Sequence, residues 1–115
     1  MIRFVFMGTN KKKKIILESL HAHELLECIA LFTQPDRPVG RKQILTPPII
    51  TSVAKEHNIP LFQPYKLGEE ERLQIQNLQP DFIIVAALGQ LLPECILSIA
   101  PCINLHTSLL PQDRG

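Results

Sequence analysis

The amino-acid sequence predicts a doubly wound α/β fold built on a mainly parallel, Rossmann-like sheet. Short apolar segments alternate with helical ones along the whole chain, and this order is typical of a parallel sheet flanked by helices. The segment Phe82–Ala87 is apolar without alternation, which indicates a strand covered on both faces at the middle of the sheet. Ligands of such folds bind beyond the carboxyl ends of the strands, near the switch point in strand order.

Strands and helices are predicted in alternation from the N-terminus. The predicted strands are Ile2–Met7, Cys28–Thr33, Leu61–Phe62, Phe82–Ala87 and Cys102–His106. The predicted helices follow the turn at Gly8-Thr9, begin at Thr46-Pro47-Pro48, cover Glu69–Leu78 and cover Pro93–Ser98. The switch-point rule therefore directs attention to Gly8-Thr9, to Ala87–Gln90 and to Asn104–Pro111.

Local signals fix the orientation and ends of two helices. In the first helix Ile16, Leu17 and Leu20 are expected to face inward. In the second, Thr46 can cap free N–H groups, and Pro47 suits the first helical position because it has no N–H to leave unpaired. Asn58 is expected to end that helix, since asparagine tolerates a left-handed conformation.

Composition bounds the class of protein. The 115 residues suit one domain, and 45% of them are apolar, which is enough for a packed core. A formal charge of +1 and a pI of 7.8 do not indicate a dedicated nucleic-acid binder, so any nucleic-acid contact must come from a local patch. No apolar stretch is long enough to span a membrane, and no signal or transit segment is present. A cytoplasmic location is expected.

Three cysteines support a reducing compartment. Cys28, Cys95 and Cys102 lie in apolar neighbourhoods. Their number and spacing fit neither a set of disulfide pairs nor a metal site. We expect all three to be reduced, buried, small hydrophobic residues.

The lysine run Lys11–Lys14 allows two interpretations. Four consecutive helical residues sweep about 300° of the circumference, so they cannot form one binding face, and positive charge at a helix N-terminus opposes the helix dipole. A solvated, partly frayed helix start is the favoured interpretation, and attraction of a polyanionic substrate is the alternative. The first strand ends in one glycine, Gly8, rather than in G-x-G-x-x-G, which argues against a dinucleotide site.

The loop from Gln34 to Leu45 is a candidate binding element. Structureless connections of about a dozen residues are uncommon in compact domains and are often functional. Prolines stiffen this loop, Gly40 gives it a flexible point, and Arg37, Arg41 and Lys42 could reach phosphates through charge-assisted hydrogen bonds. From composition alone, a functional and a purely structural role are equally supported.

Asn104 and His106 are candidate catalytic residues. On a strand, residues two apart point to the same face, so a carboxamide and an imidazole would converge at the strand's carboxyl end. Acyl transfer to an amine needs a donor for the oxyanion and a group that titrates near neutrality. Alone, N-x-H is a weak signal that favours a packed, hydrogen-bonded pair over a catalytic one, and on that interpretation Ser108–Pro111 is only a strand-ending turn.

Several motifs together resemble the N-terminal part of the catalytic domain of methionyl-tRNA formyltransferase, over essentially the whole chain. They occur in order and at matching spacing: Phe6-Met7-Gly8-Thr9, Thr33-Gln34-Pro35-Asp36-Arg37-Pro38-x-Gly40-Arg41, Ile59-Pro60-x-x-Gln63-Pro64 and Cys102-Ile103-Asn104-x-His106-x-Ser108-Leu109-Leu110-Pro111-x-x-Arg114-Gly115. The N-x-H-x-S-L-L-P segment is shared by formyltransferases that use 10-formyltetrahydrofolate. The Q-P-D-R-P-x-G-R loop is more particular to the tRNA enzyme.

The resemblance implies a role for each candidate residue. Asn104 and His106 would act in formyl transfer to the α-amino group of initiator methionyl-tRNA, with 10-formyltetrahydrofolate as formyl donor and without a metal. Arg41, with Arg37 and Lys42, would bind the tRNA. The folate pocket would be lined by Ala86, Ala87, Leu88, Gly89, Gln90, Leu91, Ser108, Leu109, Leu110 and Pro111. The full-length enzyme is expected to be a monomer that does not bind membranes.

The chain departs from the family pattern at two places. Asn10 and the lysine run stand where the family has Pro, an acidic residue and Phe, and the sequence after Arg41 is less basic than in the family. The family's third catalytic residue, an aspartate, belongs to a later segment. We therefore expect residues 1–115 to be the N-terminal part of the catalytic domain, without the later strands and the C-terminal domain, and to be inactive alone.

The alternatives are another folate-dependent formyltransferase, acting on an amino sugar or glycinamide ribonucleotide, and a truncated, non-catalytic binding module.

Overall fold

The computed structural model describes residues 1–9, 11–86 and 94–105. Strands and helices alternate through this part of the chain, apart from a small hairpin after the second strand. In chain order the elements are β1 (Ile2–Gly8), α1 (Lys11–His21), β2 (Leu26–Phe32), β3 (Arg37–Val39), β4 (Ile44–Thr46), α2 (Thr51–His57), β5 (Leu61–Phe62), α3 (Glu69–Leu78), β6 (Phe82–Ala86), α4 (Glu94–Leu97) and β7 (Cys102–Asn104).

Five parallel strands form the main sheet in the order β5-β2-β1-β6-β7. The chain builds outward from β1 through β2 to β5, then returns to pair β6 with the other side of β1. The switch in strand order therefore lies between β1 and β6, as the doubly wound prediction requires.

Both faces of the sheet are covered, which confirms the predicted fold class. The first core lies between the sheet and helices α1 and α2, where Phe6, Leu17 and Val53 are fully buried. The second core lies between the sheet and helices α3 and α4, where Ile75 and Ile96 are fully buried. The predicted inward residues Ile16 and Leu20 pack at the edge of the first core. No helix in the described part of the chain combines the length and apolar character that a membrane span needs.

Helix α3 has the bounds that the sequence predicts, Glu69–Leu78. Three glutamates occupy its first turn, where negative charge complements the helix dipole. The Glu71 side chain also accepts a hydrogen bond from the backbone N–H of Gly68 at 2.8 Å, which satisfies one of the free donors at the helix start. Helix α2 ends as predicted, because Asn58 adopts the left-handed conformation with φ 56°.

The predicted start of α2 is wrong. The helix begins at Thr51 rather than at Thr46, because residues 44–46 form strand β4 and the Thr46 hydroxyl donates to the Ile44 carbonyl at 3.0 Å instead of capping a helix. The Pro48 carbonyl accepts from both the N–H and the hydroxyl of Thr51, at 3.0 and 2.8 Å, and this turn opens the helix.

Three further expectations need correction. The loop from Gln34 to Leu45 is not structureless, because β3 and β4 pair in it as an antiparallel hairpin. The lysine run is not wholly solvated, since Lys13 is 4% exposed. Cys28 is buried as predicted, but Cys95 is exposed and Cys102 half-buried; all three are free thiols. Burial raises the pKa of the Cys28 thiol to about 12, so this residue is an inert part of the first core.

Candidate functional site

The carboxyl ends of β1, β6 and β7 lie side by side at one edge of the sheet. Gly8 pairs with Ala86, and Val85 pairs with Asn104. Neighbouring strands are about 4.8 Å apart, so the ends of β1 and β7 are separated by about 10 Å across β6. This edge is the place where the doubly wound topology predicts a ligand site.

Gly8 allows the ends of β1 and β6 to approach closely. A Cβ atom on Gly8 would lie 2.9 Å from Cε1 of Phe6, 3.0 Å from the carbonyl oxygen of Ala86 and 3.2 Å from Cβ of Lys13. These separations are shorter than ordinary van der Waals contact. Glycine is therefore required here for lack of space, and this explains the single glycine at the end of the first strand.

Asn104 is the predicted catalytic residue that the structure describes. It is exposed at the end of β7 and lies on the face of the second core, because Cys102, two residues earlier, packs there. The next residue is anchored to the sheet: the Leu105 N–H donates to the Val85 carbonyl at 2.9 Å, and the Leu105 side chain packs against the first core. The edge therefore holds a carboxamide, which can both donate and accept hydrogen bonds, on a fixed backbone.

Most of the predicted folate pocket lies outside the described residues. Of its members only Ala86 is described, and this residue is fully buried at the end of β6. His106, Ala87–Leu91 and Ser108–Pro111 belong to the segments that the structure leaves undescribed.

The hairpin presents the predicted cationic residues at the carboxyl side of β2. Gly40 has φ +76°, and Gln43 closes the turn by donating to the Gly40 carbonyl from its backbone N–H at 3.2 Å and its side chain at 2.9 Å. Arg41 and Lys42 therefore occupy the tip. Arg37, on β3, and both tip residues are exposed, and within the described ranges none of the three forms an ion pair. Three cations are thus available to an external polyanion.

A pocket of about 230 Å³ separates the hairpin from the sheet edge. The Thr9 hydroxyl, at the end of β1, accepts a hydrogen bond from the Thr33 hydroxyl at 3.3 Å. The pocket is lined by Thr9, Gln34, Arg37, Val39, Thr46, Pro47, Pro48 and Ile49. The pocket therefore lies between the cationic hairpin and the end of β1.

The sequence alone assigns no role to two polar features of the structure. Gln63, in the motif Ile59-Pro60-x-x-Gln63-Pro64, donates hydrogen bonds to the start of the hairpin, and only its place beside Pro64 in that motif could have drawn attention to it. The rings of His21 and His57 lie 4.7 Å apart at the C-terminal ends of α1 and α2, away from the carboxyl edge. Partial burial and the neighbouring His57 lower the pKa of His21. His21 and His57 are 36 residues apart in the sequence, and no local pattern at that separation predicts their contact.

The described residues hold no grouping of three or more histidine, cysteine or acidic side chains that could bind a metal ion.

A doubly wound α/β domain with a polar residue at its switch-point edge defines a class of ligand-binding domains common among enzymes. Within that class the chain belongs to the formyl transferase family, whose model matches residues 2–115. The chain aligns with the N-terminal part of similar proteins.

Similar proteins carry a more specific name. The chain is 53% identical over 116 residues to the methionyl-tRNA formyltransferase of Sulfurovum sp. (strain NBC37-1), covering 98% of this chain and 38% of that protein. It is 55% identical over 117 residues to that of a Nitratiruptor species, covering 99% and 38%. It is 51% identical over 118 residues to that of Campylobacter fetus subsp. fetus (strain 82-40), covering 100% and 39%. The chain thus spans about two fifths of the length of these relatives.

Proposed function

We propose that the protein containing this chain transfers a formyl group from 10-formyltetrahydrofolate to the α-amino group of initiator methionyl-tRNA, in translation initiation. The observation that carries this proposal is the identity of about half of all residues, over the whole chain, with proteins named methionyl-tRNA formyltransferase. The geometry of the carboxyl edge and of the hairpin supports it.

The cationic hairpin favours a nucleic acid as the acceptor. Arg37, Arg41 and Lys42 are exposed on an element that stands apart from both cores. Amino sugars and glycinamide ribonucleotide are small and need no projecting basic element, whereas a tRNA offers many phosphates to such side chains. The net charge of the chain is only +1, so this local cluster must supply the attraction.

The residues at the carboxyl edge fit a formyl donor. The exposed carboxamide of Asn104 can donate an N–H to the formyl oxygen and stabilise the negative charge that develops there during acyl transfer. His106, two residues further on, would take the proton that the attacking amine loses and return it to the departing nitrogen of the folate. The α-amino group must be neutral to attack, and exclusion of water at this edge would favour that form.

A comparison of acceptors tests the proposal. The intact gene product containing this chain is incubated with 10-formyltetrahydrofolate and, in separate reactions, initiator methionyl-tRNA, glycinamide ribonucleotide and an amino sugar nucleotide. We expect formylation of the methionyl-tRNA alone, measured as acid-precipitable formyl-methionyl ester. Formylation of either small acceptor without that of the tRNA would overturn the assignment.

A further inference from the structure

The hairpin formed by β3 and β4 needs an external anchor. Each of its strands has three residues, and all six are exposed, so the hairpin shares little of either core. An isolated two-stranded hairpin is marginally stable at best in water. The direction in which Arg37 and Arg41 point must therefore be fixed where the hairpin joins the domain.

Gln63 provides such an anchor through one amide group. Its Nε2 atom donates to the backbone carbonyl oxygen of Gln34 at 3.1 Å and to Oδ1 of Asp36 at 2.8 Å. A glutamine amide has two N–H donors, so both are used, one on each side of Pro35. Because both partners are acceptors, they also determine which end of the amide faces them. The second bond has an ionised acceptor, and such bonds are stronger than neutral ones.

The anchor is attached to the edge strand of the main sheet. Gln63 follows β5, whose residue Phe62 accepts a backbone hydrogen bond from Thr33 at 3.0 Å and stacks on Phe32 with ring centroids 4.7 Å apart. The first residues of the hairpin segment are thus tied to β5 rather than left to follow the end of β2 freely.

The same bonds hold an acidic side chain away from the cations. Asp36 directly precedes Arg37, and a mobile carboxylate there could pair with a neighbouring guanidinium or repel a phosphate. With its Oδ1 bound to Gln63, the carboxylate is turned toward β5. Within the described part of the chain Arg37 forms no ion pair.

We infer that Gln63 is a positioning residue for the acceptor: by binding Gln34 and Asp36 it orients the cationic hairpin toward tRNA. It acts through the hairpin and touches no reacting atom. This inference rests on the proposed function, since that function assigns the hairpin to tRNA.

A KM-against-kcat comparison in the intact gene product tests the inference. In Gln63→Leu, which keeps the bulk and removes both donors, we expect KM for initiator methionyl-tRNA to rise roughly tenfold, the equivalent of about 1.4 kcal/mol and the size of one hydrogen bond to a charged group. The turnover number and KM for 10-formyltetrahydrofolate should be unchanged. Gln74→Leu is the matched control, because Gln74 lines the same hollow beside Gln63 from α3, and it should leave all three constants unchanged.

A second pair of variants separates positioning from general destabilisation. Gln63→Glu places a carboxylate against that of Asp36, and we expect KM for the tRNA to rise by more than tenfold. Adding Asp36→Asn gives the new glutamate an amide donor and should recover at least threefold of that loss; a merely destabilised protein would not recover. Such coupling between contacting residues is what a double-mutant cycle measures.

The outcomes distinguish the inference from the function on which it rests. If the unaltered protein formylates methionyl-tRNA but Gln63→Leu has an unchanged KM, or if Asp36→Asn recovers nothing in the Gln63→Glu background, the inference is overturned and the function stands. If the unaltered protein does not formylate methionyl-tRNA, the proposed function fails and the inference fails with it.

Discussion

Replacing Gly8 by alanine would add a methyl group at the tightest contact of the carboxyl edge. The new Cβ would lie 2.9 Å from the ring of Phe6 and 3.0 Å from the carbonyl oxygen of Ala86. The Phe6 ring is fully buried and cannot swing aside. The Ala86 oxygen belongs to the backbone of β6, which pairs with Gly8, so it can yield only if the two strands separate.

These contacts set the size of the effect. Overpacking a well-packed site typically costs about 1 to 3 kcal/mol. Alanine restricts the unfolded chain more than glycine does, which offsets roughly 0.4 to 1 kcal/mol of that cost. Because one of the contacts is to backbone, we place the overpacking cost at roughly 2 to 2.5 kcal/mol, above the bottom of that range. We therefore expect a net loss of about 1 to 2 kcal/mol in the free energy of opening of β1 and β6, which is a factor of about 5 to 30 in the opening equilibrium.

Hydrogen exchange followed by mass spectrometry measures this loss where it occurs. Amides of β1 and β6 in Gly8→Ala should exchange about 5 to 30 times faster than in the unaltered protein. Gly68→Ala serves as the control, since the nearest atom to its Cβ is Oε1 of Glu71 at 3.7 Å, and exchange in β1 and β6 should not change. Equal exchange in Gly8→Ala and the unaltered protein would refute the reasoning that this edge has no room for a side chain.

Two further predictions concern the hairpin and the histidine pair. In Arg41→Ala we expect weaker binding of initiator methionyl-tRNA, a slope of log Kd against log salt that is smaller by about 0.7 to 0.9, and unchanged folate affinity. Lys55→Ala, at the far end of α2, is the control. An unchanged salt slope in Arg41→Ala would exclude a phosphate contact. For His21, whose pKa is lowered below its ordinary value of 6.5 by partial burial and by His57, the unfolded chain binds a proton more readily than the folded one, so stability present above pH 6.5 is lost as the pH falls through that value. His21→Asn should flatten the decline of Tm between about pH 7.5 and 5.5, and an undiminished decline would place its origin elsewhere.

The main sheet could be predicted because its signals are local. The uninterrupted apolar run of β6 and the charged, amphipathic pattern of α3 each specify their element without tertiary help. The hairpin could not be predicted in this way. Its strands are three residues long and include Pro38, and it is held at its base by Gln63, which is 27 residues from Asp36. A contact at that separation leaves no trace in local periodicity.

The helix starts show the same limit. Thr46 and Pro47 match the pattern of a helix N-terminus, but pairing of β4 with β3 takes Thr46 into a strand, and tertiary structure overrides the local preference. At α1 the geometry of four consecutive lysines already implies that one of them faces the sheet, and in the structure that residue is Lys13. Expecting the whole run to be solvated gave too much weight to charge and too little to helical geometry.

The candidate site was predictable in position and only partly in composition. The switch-point rule and the N-x-H pattern together place Asn104 at the carboxyl end of β7, where the structure has it, exposed and two strands from Gly8. Its pairing with His106 stays a prediction, since His106 lies outside the described residues. The role of Gln63 needed the three-dimensional contact.

The central claim is that Asn104 serves formyl transfer, and a single kinetic comparison in the intact gene product tests it most directly. Transfer from 10-formyltetrahydrofolate to initiator methionyl-tRNA is measured for the unaltered protein, for Asn104→Ala and for Asn77→Ala, a control asparagine exposed on α3. We predict transfer by the unaltered protein and the control, and a kcat lower by about 10² to 10³ in Asn104→Ala, the cost of losing one oxyanion donor. A kcat in Asn104→Ala equal to that of the control would contradict the account.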